Sequence, residues 1–367
     1  MLRNIHMPEF YCPFPAALSP HVEAVQRSLN QWMLSRRLLW TDAELKRFKA
    51  GKFAWVTGRA HPEASFEDLL LVATYMSWLF VVDDLCDEAQ LGWDPELLSA
   101  AHVELVDRMK ALCPGHGFVL RGEGAQDFEE EGGSRGAAEA PSGRMLFLLK
   151  KRGLDELAER WTPVVSGLTE VWERMCKRAA PGWTQRFIQI FEGYAYACRW
   201  ETENRATKRV PPVEEYLEFR RHTSALYVFF SLTELVEGVT LTSELLKYIH
   251  ELEVRANDGV SWFNDIISLE KEVMAGDVHN LVVVLQHERG LNLQEAVNEA
   301  AQLFNDRMRE YVELERGLPS FGPELDGQLQ RYLKGLRCWV RGNMDWSYET
   351  GRYAKAHPFE ALKLAAS

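Results

Sequence analysis

The sequence predicts an all-α protein, built as a single helical bundle around a central apolar cavity. Apolar residues recur at three- and four-residue steps, as in Val22, Val25, Leu29, Trp32 and Met33, and again in Val213, Tyr216 and Leu217 and in Leu226, Tyr227 and Phe230. Alternating period-two runs closed by hairpin turns are missing, and the Asp258–Gly259 pair lies in a stretch whose flanks keep a helical period. Leu69–Val82 is apolar nearly all round, which predicts a helix enclosed by other helices. No βαβ unit and no Gly-rich phosphate loop is present.

Start signals place the first elements. Ser19 followed by Pro20 predicts one helix start, and Thr41 with Glu44 three residues on has the pattern of a capping box. Pro211 and Pro212 predict a third, because proline fixes φ and fits the first turn. Elsewhere proline is expected to stay out of the apolar periodic stretches. One stretch breaks the pattern: residues 114–144 hold eight of the 25 glycines and few large apolar side chains. Such a segment cannot bury enough surface to offset its ordering entropy. It reads as a flexible insertion within one domain spanning 1–367, and not as a linker, because the part before it is too thin in core residues to fold alone.

Composition narrows the function classes. The chain has 367 residues and a formal charge of −12, with 42 Lys+Arg against 54 Asp+Glu, so no basic excess exists to neutralise nucleic acid. Six cysteines are scattered without a CxxC pair, which argues against a disulfide framework and a structural zinc site and predicts small core fillers in a reducing compartment. No apolar run reaches signal-peptide or membrane-spanning length, so a cytoplasmic location is expected.

Two acidic clusters carry chemistry. The apolar helix ends in Asp83, Asp84 and Asp87; Asp83 and Asp87 are one turn apart on one face, with Asp84 beside them. Carboxylates at a helix C-terminus repel each other and the negative end of the macrodipole, so a hard cation such as Mg²⁺ is the natural remedy. The second cluster begins 181 positions after Asp83: Asn264, Ser268 and Glu272 are spaced by four and offer three oxygens from one helix face. Taken alone, this second cluster reads better as an ordinary solvated polar face. Facing each other across an apolar interior, the two describe a clamp for a metal-bound diphosphate.

The residues DDLCDE and NDIISLEKE resemble the two metal-binding signatures of class I terpene synthases, in the right order and at a typical separation. The resemblance runs from YCPFP near the start, similar to a Pro-Phe segment of microbial members, to Arg352–Tyr353. It implies the helical bundle of the class I terpene synthase (isoprenoid synthase) type. It also implies Asp83 as principal Mg²⁺ ligand with Asp84 and Asp87 in support, Asn264, Ser268 and Glu272 on another Mg²⁺, and three ions assembled with the substrate. Lys271, Arg352 and Tyr353 would meet the diphosphate. Within YLEFRRHTSA the resemblance makes Arg221 the diphosphate sensor, with Arg220 the near alternative, Ser224 the linker and Ala225 the effector whose carbonyl faces the departing carbon. Many relatives have Gly at that last position and a Pro shortly after; this chain has neither.

The implied reaction is Mg²⁺-dependent ionisation of a prenyl diphosphate, farnesyl diphosphate foremost, and cyclisation of the carbocation to a sesquiterpene with release of diphosphate. Geranyl and geranylgeranyl diphosphate, for monoterpene or diterpene products, remain open. Aromatic faces suit such cations; Phe80, Trp346, Trp78, Phe53, Tyr196 and Tyr227 are the candidates for the cavity wall. A chain-elongating prenyl transferase would need a second aspartate-rich motif in place of Asn264, Ser268 and Glu272. A non-catalytic helical scaffold leaves both carboxylate clusters unexplained. The expected partners are the prenyl diphosphate and no nucleic acid, the protein acting as monomer or homodimer.

Overall fold

The computed structural model describes residues 5–88, 91–113 and 143–353, with the side chains of residues 86–88 left aside. Among the described residues the structure is helical, with no strand. The helices are Val22–Ser35 (α1), Asp42–Gly51 (α2), Phe53–Ala60 (α3), Phe66–Glu88 (α4), Pro95–Leu112 (α5), Arg144–Lys151 (α6) and Asp155–Cys176 (α7). They continue with Trp183–Thr207 (α8), Val213–Thr223 (α9), Leu226–Glu237 (α10), Ser243–Ala275 (α11), Leu281–Arg289 (α12), Leu293–Arg316 (α13) and Pro323–Glu349 (α14).

Local chemistry sets many of these boundaries. Thr41 and Glu44 form the expected capping box, the Thr41 hydroxyl accepting Glu44 N–H at 3.1 Å and the Glu44 carboxylate accepting Thr41 N–H at 3.0 Å. α9 begins directly after Pro212. The start expected at Ser19–Pro20 falls slightly later: α1 opens at Val22, and Ser19 Oγ accepts the His21 N–H at 3.2 Å. Gly238, Gly276 and Gly290 end α10, α11 and α12 in the left-handed region that lacks a penalty only for glycine. The expectation about proline needs correction, since Pro163 lies inside α7. Tertiary packing of Trp161, Val164 and Leu168 on the same helix holds that turn despite the missing N–H.

α4 is the central element. From Leu69 to Val82 nearly every side chain is buried, including Tyr75 and Trp78 at 0% exposure. The Trp78 indole donates to Val164 O at 2.8 Å, which seats α4 on α7. The main apolar core runs from Phe14 to Tyr353, and a satellite core joins α9, α11, α12 and α13. Sequence reasoning erred on two cysteines: Cys113 and Cys176, at the ends of α5 and α7, are paired as a disulfide, their Cα atoms 7.1 Å apart. Tertiary structure brings together two residues 63 positions apart, which spacing motifs cannot reveal. Of the insertion expected at 114–144, only the last two residues are described; Gly143 precedes α6 and Arg144 opens it, and the rest lies outside the described residues. No described helix is long and apolar enough to cross a membrane.

α14 crosses α3 at Gly342, where an added Cβ would stand 2.7 Å from Arg59 Cβ and 3.1 Å from its carbonyl carbon. A backbone neighbour cannot swing away. Gly342→Ala is therefore expected to lower stability by about 1–3 kcal/mol, read from the midpoint of chemical denaturation; wild-type stability in that variant would contradict so close a crossing.

Candidate active site and metal centre

A chamber of about 230 Å³ opens between α3, α4, α8, the α9–α10 break, α11 and α14. Asp83, Arg220, Asn264, Lys271, Glu272, Arg352 and Tyr353 line it, together with an apolar set that includes Val56, Met76, Leu79, Leu226 and Phe229. A second, larger hollow of about 600 Å³ adjoins it, sharing Phe80, Lys271, Arg352 and Tyr353.

The first acidic cluster divides. Asp83 lines the chamber, whereas Asp84 faces the second hollow, half exposed, with the Arg352 guanidinium 3.4 Å from its Oδ1. Successive helical residues point about 100° apart, which separates this pair. The Asp87 side chain lies outside the described residues. Arg352 also covers the rings of Phe80 and Phe53, at 4.6 and 5.7 Å from their centroids.

The second cluster is tied into its surroundings. Asn264 donates from Nδ2 to the Tyr353 hydroxyl at 2.7 Å and accepts from Arg220 at 3.2 Å. Ser268 is buried and donates to Asn264 O at 2.7 Å, so its hydroxyl is occupied within the helix and it does not border the chamber. Glu272 accepts from Asn280 at 2.7 Å. Burial and the nearby Asp265 charge push the Glu272 carboxyl up to about 7.

Geometry also distinguishes the adjacent arginines. Arg220 borders the chamber and pairs with Asp265 at 2.9 Å. Arg221 is held bidentately by the fully buried Asp258, at 2.7 and 3.1 Å, and does not border the chamber. α9 ends at Thr223, and Ala225 adopts φ 57°, ψ 9° to begin α10 in a new direction. The break therefore forms without glycine. Ser224 Oγ donates to Arg221 O at 3.0 Å and lies 3.1 Å from Asn257 Oδ1, bracing the turn. The Ala225 carbonyl accepts Phe229 N–H at 3.2 Å, which leaves one lone pair for the chamber.

Of the aromatic candidates, Phe80 and Trp346 line the chamber, and Phe53 lines the second hollow. The other three are placed elsewhere. Trp78 is turned to α7, Tyr196 is 51% exposed and stacks on Phe219, and Tyr227 packs on His222 away from the chamber lining. A 100° rotation per residue decides this, and hydrophobicity carries no information about it. Trp339, Phe229 and Tyr194 line the chamber and were not singled out. The step of four then three from Trp339 through Asn343 to Trp346 was the legible signal for one of them.

Supporting residues were missed as well. Asp265 accepts from the Tyr216 hydroxyl at 2.5 Å, from Arg220, and from Leu281 N–H at 3.1 Å. Asn280 donates to Asp265 O at 2.6 Å and to Glu272, while its Oδ1 caps α12 through Val282 N–H at 2.9 Å. Arg205, Asp277 and His279 border the chamber beside them. Burial pushes the Asp277 carboxyl up, but the His279 ring and the Arg205 guanidinium outweigh it and hold the group well below the usual carboxylate range. Among the described residues no three His, Cys, Asp or Glu side chains are grouped to hold a metal by themselves.

An all-helical chamber with a carboxylate, an amide and a second carboxylate on facing helices, and guanidinium groups at its rim, is the architecture of a metal-dependent diphosphate enzyme. The family model for terpene synthase family 2, C-terminal metal binding, matches residues 74–310. The chain belongs to that family. It is 29% identical over 365 residues to a germacrene A synthase from Nostoc punctiforme, covering 99% of both chains. It is also 29% identical to a (+)-T-muurolol synthase, (2E,6E)-farnesyl diphosphate cyclizing, from Roseiflexus castenholzii, covering 97% of this chain and 96% of that one. In fold it is similar to the crystal structure of an α-eudesmol synthase, with a TM-score of 0.73 at 21% identity over 94% of this chain and 100% of that one.

Asn280 is the joint between α11 and α12. Asn280→Ala removes a helix cap and takes one donor each from Glu272 and the Asp265 carbonyl, so stability should fall by about 2–4 kcal/mol; an unchanged denaturation midpoint would contradict these contacts.

Proposed function

We propose that the protein is a Mg²⁺-dependent terpene cyclase that ionises farnesyl diphosphate and cyclises the resulting carbocation to a sesquiterpene, releasing diphosphate. The observation that carries this reading is the convergence of Asp83, Asn264, Glu272, Lys271, Arg352 and Tyr353 on one chamber that is also lined by Val56, Met76, Leu79, Leu226 and Phe229. The choice of farnesyl diphosphate is supported by the muurolol synthase relative, which cyclises (2E,6E)-farnesyl diphosphate.

The donor set fits a hard divalent ion. Asp83 and Glu272 supply carboxylate oxygens and Asn264 an amide oxygen. Asp83, Asn264 and Glu272 would hold Mg²⁺, with Asp84, Asp87 and Ser268 in support; three ions is the number the resemblance implies. Bound Mg²⁺ would neutralise the leaving diphosphate.

The protein's own groups do the rest. Lys271 and Arg352 stand at the rim on the side of both hollows, where they bind a diphosphate and draw its charge away from the prenyl carbon. Arg220 offers its guanidinium from the chamber wall at rest, and Arg221 enters by exchanging Asp258 for the diphosphate. Tyr353, freed from Asn264, donates its hydroxyl to the same anion. The Ala225 carbonyl directs its negative end at the carbon that loses the diphosphate. Phe80, Trp339 and Trp346 face the prenyl chain; each aromatic face stabilises a cation by roughly 0.5–2 kcal/mol. The apolar side chains of the wall shield the reactive cation from bulk solvent.

Diphosphate release from farnesyl diphosphate, compared with geranyl and geranylgeranyl diphosphate, tests the reading. Release should need Mg²⁺, stop on chelation and return when Mg²⁺ is restored. Asp83→Asn, Asn264→Ala, Glu272→Gln and Arg220→Gln should each lower kcat by about 100-fold or more with unchanged helicity by circular dichroism. Full activity in any two of them would refute the clamp. Arg221→Gln should show a loss of similar size; near-normal turnover there would leave Arg220 as the sole sensor.

A further inference from the structure

The wall of the chamber below its rim departs from apolar character on α14. Trp339, Asn343 and Trp346 share the face turned to the chamber. Asn343 is 8% exposed, and its Oδ1 is buried without a hydrogen-bond partner among the described residues. The buried Trp339 indole N–H, one turn earlier on that face, has no partner there either. Neighbouring groups of the same kind are satisfied: the Trp346 indole donates to Gly51 O at 2.9 Å, the Trp78 indole to Val164 O at 2.8 Å, and Asn257 Nδ2 to Arg221 O at 2.7 Å. An unpartnered amide and an unpartnered indole N–H are unfavourable in an apolar wall. They make chemical sense if a ligand supplies the missing partners.

The prenyl chain cannot be that ligand, because a hydrocarbon neither donates nor accepts a hydrogen bond. A water molecule can. Trp339 Nε1 donates to its oxygen and Asn343 Oδ1 accepts one of its protons, within the two to four polar partners that a buried water needs. Asn343 stands six residues before Glu349, the end of α14, so it lies about 9 Å down the helix from the rim. A water there is far from the carbon that loses diphosphate and close to the cyclised part of the chain.

We infer that Asn343, with Trp339, holds one water against the cyclised carbocation, and that the main product is a sesquiterpene alcohol. This rests on the proposed cyclase reading. The water oxygen gives an electron pair to the cationic carbon and forms the C–O bond. The resulting oxonium loses one proton to the diphosphate that shares the chamber, so farnesyl diphosphate and water become an alcohol and hydrogen diphosphate. No oxidant or reductant is involved. Asn343 is thereby a specificity-determining residue: it decides whether the last cation is captured by water or loses a proton to give a hydrocarbon.

The test is to incubate the protein with farnesyl diphosphate and Mg²⁺ in oxygen-18 water, measure diphosphate release, and identify the volatiles by mass spectrometry. Wild-type protein should yield mainly an alcohol carrying one oxygen-18 atom. In Asn343→Leu and Asn343→Val, the alcohol-to-hydrocarbon ratio should fall by about tenfold or more. Diphosphate release with hydrocarbons alone from the wild type would overturn the inference and leave the cyclase reading standing. An unchanged alcohol share in both variants would also overturn it. Absence of diphosphate release from all three prenyl diphosphates would instead bring down the cyclase reading and this inference together.

Discussion

A row of acids on α11, the first two fully buried, organises the site. Asp258, Asp265 and Glu272 follow at seven-residue steps, which keeps them on one face with a drift of about 20° per step. The adjacent guanidinium groups of α9 reach two of them: Arg221 takes Asp258 and Arg220 takes Asp265. Buried carboxylates are tolerable only when paired and hydrogen-bonded, and removing one partner leaves the other uncompensated. α9 therefore has one register on α11. Shifted by a residue, both arginines would lose their acids. That register places the end of α9 at Thr223 and the reversal at Ser224–Ala225 against the chamber. Glu272, third in the row, accepts from Asn280, and burial with the Asp265 charge pushes its carboxyl up to about 7. The row thus supplies two structural pairs and leaves its last acid facing the chamber.

The overall fold was legible because helical period and burial leave a direct trace. Leu69–Val82 reads as an enclosed helix from its composition alone, and α4 is enclosed. The Thr41 capping box and the prolines before α9 are local chemistry, independent of what packs on them. That Asn264 and Glu272 share one side of α11 was legible for a similar reason, since four-residue steps convert directly into a shared face. Asp265 escaped notice because a four-residue step from Asn264 passes over it; it stands about 100° from Asn264, at the Glu272 edge of the arc, where it meets Arg220 and Tyr216.

What was not legible depends on rotation and on partners distant in sequence. Asp83 and Asp84 are neighbours, but one degree of freedom, the helix phase, sends them to different hollows. Trp78 and Trp346 are equally aromatic, and only the positions of Val164 and Gly51, whose carbonyls hold the two indoles, determine which ring borders the chamber. The choice between Arg220 and Arg221 is of this kind. No local property separates adjacent arginines; Asp258 does. Cys113 and Cys176 meet for the same reason, through the packing of helix ends that carry no pairing signal.

The rim groups are already engaged with one another. Asn264 holds Tyr353, Arg352 stands by Asp84, Arg220 holds Asp265 and Arg221 holds Asp258. A diphosphate that entered would replace these partners instead of filling unmet valences. Exchange in a desolvated site avoids the full penalty of stripping water from free charges, because protein dipoles solvate them beforehand. It also couples the ligand to the chain beyond α14, since Arg352 and Tyr353 follow that helix by only a few residues. Ala225 fits the same logic. A left-handed alanine is mildly strained, and the Ser224 hydroxyl, by bonding to Arg221 O and standing within reach of Asn257 Oδ1, transmits to this strained turn any movement of the neighbouring arginine. The backbone break, the acid row and Tyr353 are in this sense one hydrogen-bonded unit at the edge of the chamber.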